Sequence, residues 1–163
     1  MRAIFLDRDG VINKKMPAGD YVKRWGEFEF LPGAIEAIRT LAQKNFEIFI
    51  VTNQRGIARG LMTHEDLCGI HAQMLRTFHE KGISIRQIYY CPHDENECKC
   101  RKPAPGMLLK AANDHNLNLR GAILIGDSIS DMQAAQRAGC TGILVNEKYS
   151  LLSAVREDPI FEI

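Results

Sequence analysis

Two aspartates that stand one residue apart, Asp7 and Asp9, directly follow the apolar run Ile4–Leu6. This run has the character of a buried parallel strand, so both carboxylates are expected at its carboxyl end, where open α/β sheets place their ligands. Two anions this close repel each other unless a cation or a proton compensates one of them. Mg2+ prefers oxygen ligands and is the simplest such cation. A carboxylate can also attack phosphorus and form an aspartyl-phosphate.

A second apolar run, Ala122–Ile125, also leads into a carboxylate, Asp127, and Asp131 follows four residues later. If both strands lie centrally in one sheet, Asp7, Asp9 and Asp127 converge on one rim. Three carboxylates there could hold Mg2+ and still leave room for a phosphate. The alternative is that each aspartate is a turn residue or a helix N-cap. Two strand-end clusters in one chain favour the metal site.

Two further segments carry groups suited to a phosphate. A third strand ends in Thr52 and Asn53, whose side chains can hydrogen-bond phosphate oxygens, although a simple Asx or Ser/Thr turn would use the same residues. Arg101 and Lys102 supply cations, Lys as a point charge and Arg as a bidentate fork. Basic loop residues are ordinarily just solvated, so Arg101 and Lys102 indicate a phosphate site only in combination with the strand-end residues.

The loop 91–100 combines three cysteines and one histidine with the spacing C-x-H-x4-C-x-C: Cys91, His93, Cys98 and Cys100. This Cys3His set suits tetrahedral Zn2+, and four protein ligands close the shell, which indicates a structural site. The alternative is a loop with free thiols, which are liabilities when exposed. A bound zinc would order the loop immediately before Arg101 and Lys102.

The elements that must position these groups alternate between strand and helix. Strand patterns lie at Arg2–Leu6, Phe46–Val51, Ile85–Tyr90, Ala122–Ile125 and Gly142–Val145. Helical patterns start near Gly33 and cover about Thr63–Lys81, Gly106–Asn116, the stretch from Asp127 to Gly139, and Ser150–Arg156. This alternation predicts an α/β fold with a doubly wound, mostly parallel sheet. The irregular stretches Asn13–Leu31 and Cys91–Pro105 are long enough to be functional loops.

Length and charge narrow the class of protein. The 163 residues suit one domain, 1–163, and the net charge of +1 comes from 21 basic and 20 acidic residues. No basic block or long apolar run is present, so neither nucleic acid nor membrane is an expected partner. The five cysteines are odd in number and unevenly spaced, which argues against a disulfide framework. We expect a cytoplasmic protein, with a mild preference for a monomer.

In their order along the chain, these pieces resemble the haloacid dehalogenase superfamily, whose motifs match Asp7-Arg8-Asp9, Thr52, Lys102 and Gly126-Asp127-x-x-x-Asp131. The resemblance implies a Rossmann-like fold in which Asp7 is the nucleophile and Asp9 is the general acid and base. Mg2+ would be held by Asp7, Asp127 and the backbone carbonyl of Asp9, with Asp131 supporting from the second shell. Thr52 and Lys102 would stabilise the transferred phosphoryl group. Acid chemistry near pH 7 needs a raised pKa, which we expect burial near Asp7 to give Asp9.

The segments Asp7–Asn13, Thr52–Gly60, Tyr90–His93 and Cys100–Met107 resemble, more narrowly, the D-glycero-D-manno-heptose-1,7-bisphosphate 7-phosphatases, which share a subfamily with histidinol-phosphate phosphatases. These enzymes are capless, and loops shape their pocket. The resemblance implies loss of the 7-phosphate from a small phosphorylated sugar, in a route to lipopolysaccharide or another bacterial glycan. It places these residues at the substrate: Gly19, Asp20, Tyr21, Asn53, Gln54, Arg55, Arg101, Lys102 and Ser128.

Three alternatives stay open at this point. A histidinol-phosphate phosphatase would use the same motifs, and so would a polynucleotide 3′-phosphatase, although the near-neutral charge gives the latter little support. A zinc-stabilised binding module without catalysis would be a protein of a different class. The intact set of Asp7, Asp9, Thr52, Lys102 and Asp127 argues against that last possibility.

Overall fold

A five-stranded parallel sheet forms the centre of the molecule, and the computed structural model describes residues 1–162. Its strands are β1 (Arg2–Leu6), β2 (Phe46–Asn53), β3 (Gln87–Cys91), β4 (Ile123–Gly126) and β5 (Thr141–Leu144). They lie in the order β3-β2-β1-β4-β5, and every neighbouring pair is parallel. All five predicted strands are confirmed. The largest differences are that β2 runs two residues beyond Val51 and that β3 starts two residues after Ile85.

Five α-helices connect the strands: α1 (Ala34–Gln43), α2 (His64–Glu80), α3 (Gly106–His115), α4 (Ile129–Ala138) and α5 (Leu151–Glu157). Short 3-10 helices lie at Trp25–Glu27, Leu119–Gly121 and Pro159–Phe161. Each predicted helix is present within a few residues of its expected ends. The start of α2 is a capping box, in which Thr63 Oγ1 accepts from the Asp66 N–H and Asp66 Oδ2 accepts from the Thr63 N–H.

Helices cover both faces of the sheet because alternate strand residues point to opposite sides. On one face Ile4 and Leu6 pack in a core with side chains of α1, α2 and α5. On the other face Ala3 and Phe5 pack with side chains of α3 and α4. The doubly wound α/β prediction is therefore confirmed.

The register of the central strands fixes the position of the polar groups at their ends. Leu6 of β1 lies opposite Ile50 of β2 and Ile125 of β4. The residues that follow these three positions consequently leave the sheet at the same carboxyl edge. Since β1 lies between β2 and β4, Asp7 and Asp9 are flanked by the polar residues at the ends of those two strands.

The stretch between β1 and α1 contains one 3-10 helix and, within the described residues, no cap domain. It is held against α2 by a small apolar cluster in which Val22 contacts Leu67 and Ile70, with Tyr21 at the border. This packing places residues 14–21 beside the carboxyl edge of the sheet. Across residues 1–162, no helix has the length and apolar character needed to cross a membrane.

Candidate active site

Asp7, Asp127 and Asp131 meet at the carboxyl edge of the sheet. One carboxylate oxygen from each lies within 4.8 Å of the other two. Asp7 is held in place by its own N–H, which donates to the Ile125 carbonyl of β4 at 3.0 Å. The strand ends thus bring Asp7 and Asp127 together as predicted, but the third carboxylate of the cluster comes from Asp131 and not from Asp9. Three carboxylates this close need a compensating cation.

Lys102 supplies one such cation from the loop that precedes α3. Its buried Nζ lies 2.9 Å from Asp7 Oδ1 and 2.6 Å from Asp131 Oδ1, and it donates to the Val51 carbonyl at 3.0 Å. Burial works to lower the pKa of Lys102, but the two carboxylates outweigh it and raise that pKa. Burial, with the charges of Asp131 and Asp127, raises the pKa of Asp7 to about 8 although Lys102 opposes this. Lys102 therefore neutralises only part of the negative charge.

Asp131 acts mainly as a structural support for the start of α4. Its Oδ2 accepts from the N–H groups of Asp127 and Ser128 at 3.1 Å each and from the Ser128 hydroxyl at 2.8 Å. Together with the ion pair to Lys102, these contacts involve both carboxylate oxygens, which fits the predicted supporting position. Ser128, predicted to contact the substrate, lines the cavity but uses its hydroxyl in this cap.

The residues fit a magnesium ion at Asp127. Its Oδ1 is buried and has no hydrogen-bond partner among residues 1–162, while Asp7 lies alongside. Gly10, at φ +88°, makes room for this arrangement, since a Cβ there would lie 2.1 Å from Asp127 Oδ2. Burying a carboxylate oxygen without a partner is unfavourable in free energy, and coordination to a cation that prefers oxygen ligands removes this penalty.

Asp9 is held as a carboxylate, contrary to the expectation from sequence. Its Oδ1 accepts from Arg8 Nη2 and Asn13 Nδ2, and its Oδ2 accepts from Gln54 Nε2, all at 2.9 Å. Burial works to raise the pKa of Asp9, but the charge of Arg8 and the three hydrogen bonds outweigh it and lower that pKa. The expected raised pKa was wrong because Arg8, the middle residue of the Asp7-Arg8-Asp9 motif, stabilises the carboxylate together with Asn13 and Gln54 by more than burial destabilises it.

The end of β2 positions two other site residues. Asn53 Nδ2 donates to the Lys102 carbonyl at 3.1 Å, and the Lys102 N–H donates to Asn53 Oδ1 at 3.0 Å. Thr52 is buried, and its hydroxyl oxygen accepts from Gln54 Nε2 at 2.9 Å. Asn53 lines the cavity, whereas Thr52 and Gln54 lie beneath its lining. Substrate contacts by Asn53 and Gln54 stay predictions, because their amides are already paired with Lys102 and Asp9.

A cavity of about 340 Å³ opens above the carboxylates. Its wall includes the predicted substrate residues Gly19, Asp20, Tyr21, Arg55, Arg101 and Lys102. Arg55 links two parts of this wall, donating from Nε to the Tyr21 hydroxyl at 3.2 Å and from Nη1 to Glu95 at 2.9 Å. One buried nitrogen of Arg101, Nη1, has no partner within residues 1–162. The wall therefore offers cations to an anionic ligand.

Sequence reasoning missed two contributors to this site. Lys15 lines the cavity, and its Nζ donates to Asp127 Oδ2 at 3.1 Å. His71 is buried, and its Nε2 atom lies 3.1 Å from Nη1 of Arg8. Its position could have been recognised, since Leu67, Ile70, His71 and Met74 follow the helical i, i+3, i+4, i+7 pattern of a buried stripe. Nothing in the local sequence identifies Lys15.

A second cluster lies next to the cavity, at the end of β3. One ligand atom from each of Cys91, His93, Cys98 and Cys100 lies within 4.8 Å of the other three. The sulfur atoms are 3.1 to 3.5 Å apart, and His93 Nδ1 is 3.4 and 3.3 Å from Cys91 and Cys100. This is the Cys3His set expected from the spacing, and it could hold a metal ion.

The cluster is tied directly to the loop that carries Arg101 and Lys102. The Arg101 N–H donates to Cys98 Sγ at 3.3 Å, and Gly106 at the start of α3 donates to the Lys99 carbonyl at 3.0 Å. Burial raises the pKa of Cys91, whereas for Cys98 the Arg101 N–H and the neighbouring thiols overcome burial and lower the pKa to about 7. A thiolate is therefore favoured at the sulfur that anchors Arg101.

Comparisons with known proteins agree with this geometry. The family described as HAD-hyrolase-like (haloacid dehalogenase-like hydrolases) matches residues 99–157. The D-glycero-alpha-D-manno-heptose-1,7-bisphosphate 7-phosphatase of Campylobacter jejuni is 47% identical over 90% of this chain and 84% of that protein. The D-glycero-beta-D-manno-heptose-1,7-bisphosphate 7-phosphatase of Yersinia pestis is 41% identical over 88% of this chain and 79% of that protein. The crystal structure of the Bordetella bronchiseptica heptose bisphosphate phosphatase, complexed with magnesium and phosphate, covers 100% of both chains at 38% identity, with a TM-score of 0.89.

Proposed function

Since the chain belongs to the heptose-1,7-bisphosphate 7-phosphatase family of haloacid dehalogenase-like hydrolases, we propose that it is a Mg2+-dependent phosphatase that removes the 7-phosphate of D-glycero-D-manno-heptose 1,7-bisphosphate. The observation that carries the proposal is the meeting of Asp7, Lys102 and Asp127 at the floor of one cavity. Charge compensation and positioning supply most of the catalysis in phosphoryl transfer, and this floor offers both.

Asp7 is the proposed nucleophile. Its carboxylate attacks phosphorus in line, the bond from phosphorus to the sugar oxygen breaks, and Asp9 donates a proton to that oxygen. Asp9 then accepts a proton from the water that attacks the aspartyl-phosphate, which regenerates Asp7 and releases inorganic phosphate. Asp9 rests as a carboxylate, and the dianionic phosphate of a bound substrate raises its pKa for the first step.

The remaining floor residues stabilise the transferred group. Lys102, held by Asn53 and Val51, presents its ammonium group beside Asp7, where negative charge builds on the phosphoryl oxygens. Thr52 is proposed to hydrogen-bond the same group from the end of β2, which requires its buried hydroxyl to reach the phosphoryl oxygens through the cavity floor. Mg2+, bound by Asp7, Asp127 and the Asp9 carbonyl, supplies further charge neutralisation and orients the phosphate.

Substrate selection is assigned to the cavity wall. Arg101 is proposed to bind the phosphate that is retained, because its buried Nη1 has no partner within residues 1–162. Residues 19–21 and Arg55 contact the sugar. A volume of about 340 Å³ lies within the range of small-ligand pockets, which is roughly 300–1,000 Å³.

Zn2+ is the proposed occupant of the thiol cluster and serves structure rather than chemistry. Four protein ligands leave it no open coordination position. Its effect on catalysis is indirect, since Cys98 anchors the N–H of Arg101 next to Lys102. Five free thiols, three of them clustered, suit the reducing conditions of the cytoplasm, where we place the enzyme.

A phosphate-release assay tests the proposed function. Purified enzyme with Mg2+ is given the alpha and beta anomers of heptose 1,7-bisphosphate, histidinol phosphate and p-nitrophenyl phosphate. We expect the highest kcat/KM with a heptose bisphosphate. A higher value for histidinol phosphate would reassign the substrate. Asp7→Asn should lower kcat by at least about a thousandfold, while the surface change Glu80→Gln leaves it unaltered. Turnover retained in Asp7→Asn would refute the nucleophile assignment.

A further inference from the structure

His71 links the apolar core under α2 to the active site. It is 7% exposed, and its Nε2 lies 3.1 Å from Nη1 of Arg8, whose side chain is fully buried. The other terminal nitrogen of Arg8, Nη2, donates to Asp9 Oδ1 at 2.9 Å. Two successive contacts therefore run from the helix to the general acid and base.

The chemistry of arginine decides the state of His71. A guanidinium group has five N–H donors and no acceptor, so Nε2 of His71 must be the acceptor of this contact. The ring is then neutral and carries its proton on Nδ1. In agreement, burial and the adjacent charge of Arg8 lower the pKa of His71 to about 3. A protonated ring would set a second cation against a buried one.

The Asp9 carboxylate has about four positions at which it can accept a hydrogen bond, two on each oxygen. Oδ1 accepts from both Arg8 and Asn13, and Oδ2 accepts from Gln54. The described residues therefore leave one position open, and it is on Oδ2. Asp9 lines the cavity, so that position is the one available to a substrate or water.

Resting on the proposed function, we infer that His71 is a positioning residue of the phosphatase reaction, which acts as a neutral acceptor to fix Arg8 and, through Arg8, the Asp9 carboxylate. Arg8 and Asn13 occupy Oδ1 and leave Oδ2 as the atom that transfers the proton. In the first step the proton passes from Oδ2 to the leaving sugar oxygen. In the second step Oδ2 takes a proton from the attacking water.

Arg8 depends on His71 because it has few other partners. Its Nε is buried and has no partner within residues 1–162, and the ring of Phe28 lies against the guanidinium at 5.8 Å. Losing the His71 acceptor would leave a second buried nitrogen of Arg8, Nη1, without a partner, which is strongly unfavourable beside apolar groups. The guanidinium would turn to find another acceptor and release Oδ1 of Asp9.

Two variants of similar size distinguish the effect of the His71 acceptor atom from the effect of side-chain volume. His71→Gln keeps an acceptor near the position of Nε2, and His71→Met does not. With p-nitrophenyl phosphate and Mg2+, we expect kcat to fall at least about tenfold in His71→Met, with KM within about twofold, and to stay within about threefold in His71→Gln. His79→Met, an exposed position on the same helix, is the control and should match the parent protein.

Equal losses in the glutamine and methionine variants, or no loss in either, would overturn the inference. The aryl phosphate keeps this result separate from the identity of the natural substrate, since the parent enzyme must turn it over first. If His71→Met does not fold, the unmodified protein still gives an answer through long-range 1H–15N NMR of its histidines. We expect His71 to be protonated on Nδ1. Protonation on Nε2 would contradict the proposal.

Discussion

Lys15 and Asp127 form an ion pair at the mouth of the cavity, with Nζ 3.1 Å from Oδ2. The Lys15 side chain is 59% exposed, while that of Asp127 is 15% exposed. The same carboxylate is the proposed magnesium ligand from β4, and its Oδ1 is buried without a partner within residues 1–162. The ammonium group and a metal ion bound at Oδ1 would therefore repel each other across one carboxylate.

Removing the Lys15 ammonium group should strengthen metal binding at Asp127. We expect Lys15→Ala to bind Mg2+ about 1.4-fold to fivefold more tightly, the range that an exposed ion pair of roughly 0.2–1 kcal/mol allows. Titration calorimetry without substrate measures the effect, and Lys14→Ala, exposed and adjacent, is the matched control. The difference should shrink at high salt, because screening weakens exposed pairs. Unchanged or weaker binding in Lys15→Ala would show that the pair does not oppose the metal.

The space at Gly10 can be tested against a glycine of similar conformation. Gly10 and Gly82 have φ values of +88° and +73°, so alanine should cost about 1–2 kcal/mol at either position. Only at Gly10 would the new Cβ meet Asp127, since no heavy atom of residues 1–162 lies within 4 Å of a Cβ at Gly82. We expect a lower Tm in both variants. Only Gly10→Ala should lose at least about tenfold in Mg2+ affinity. Equal Mg2+ affinities would contradict the proposed role of Asp127.

The thiol cluster should hold about one zinc ion per chain by elemental analysis. We expect Cys98→Ser to lose this zinc, to lower the Tm by at least about 5 °C and to reduce kcat, since the anchor of Arg101 beside Lys102 is lost. Cys68→Ser is the control, because Cys68 is exposed on α2. A Cys98→Ser protein with full zinc content and full activity would refute the structural zinc site.

The stability of the protein should depend on pH through His71. Its pKa is about 3 in the folded protein and about 6.5 when unfolded, so the unfolded chain takes up the proton first as the pH falls. Stability from this group is full above pH 6.5 and is lost below it, at up to ~1.4 kcal/mol per pH unit. Arg8, and Asp9 beyond it, are the charged groups nearest the ring.

Urea unfolding of the parent protein and of His71→Gln at pH 7.5, 6.5 and 5.5 measures this effect. Other titrating groups cancel in the difference between the two proteins. We expect that difference to move in favour of the variant by about 0.4 kcal/mol between pH 7.5 and 6.5 and by about 1 kcal/mol more between pH 6.5 and 5.5. A difference that does not change with pH would mean that His71 titrates normally in the folded state.

The sequence allowed the reaction centre to be predicted because its parts follow strands. Asp7 and Asp127 each end an apolar run, and the parallel register brings such ends to one edge. The cysteine spacing likewise predicted a cluster that the fold does assemble. Both predictions depend on local patterns whose geometry is nearly independent of the rest of the chain.

What could not be predicted are contacts between remote side chains. The lowered pKa of Asp9 depends first on its sequence neighbour Arg8, whose guanidinium contacts a residue of α2, and then on Asn13 and on Gln54, which is 45 residues away. The burial of Asp9 beside Asp7 suggested instead that the pKa of Asp9 is raised. Lys15 is an ordinary exposed lysine in sequence, and only the packing of residues 14–21 brings it to Asp127.

The link from Arg55 to Tyr21 and Glu95 bears on how such an enzyme can evolve. Asp7, the proposed nucleophile, is supported by the sheet, whereas Tyr21 belongs to a separate loop that Arg55 links to the thiol-cluster loop. Substitutions among residues 16–21 can therefore reshape the cavity while Asp7 stays in register. Related chains can acquire new sugar phosphates as substrates through this loop without rebuilding the chemistry.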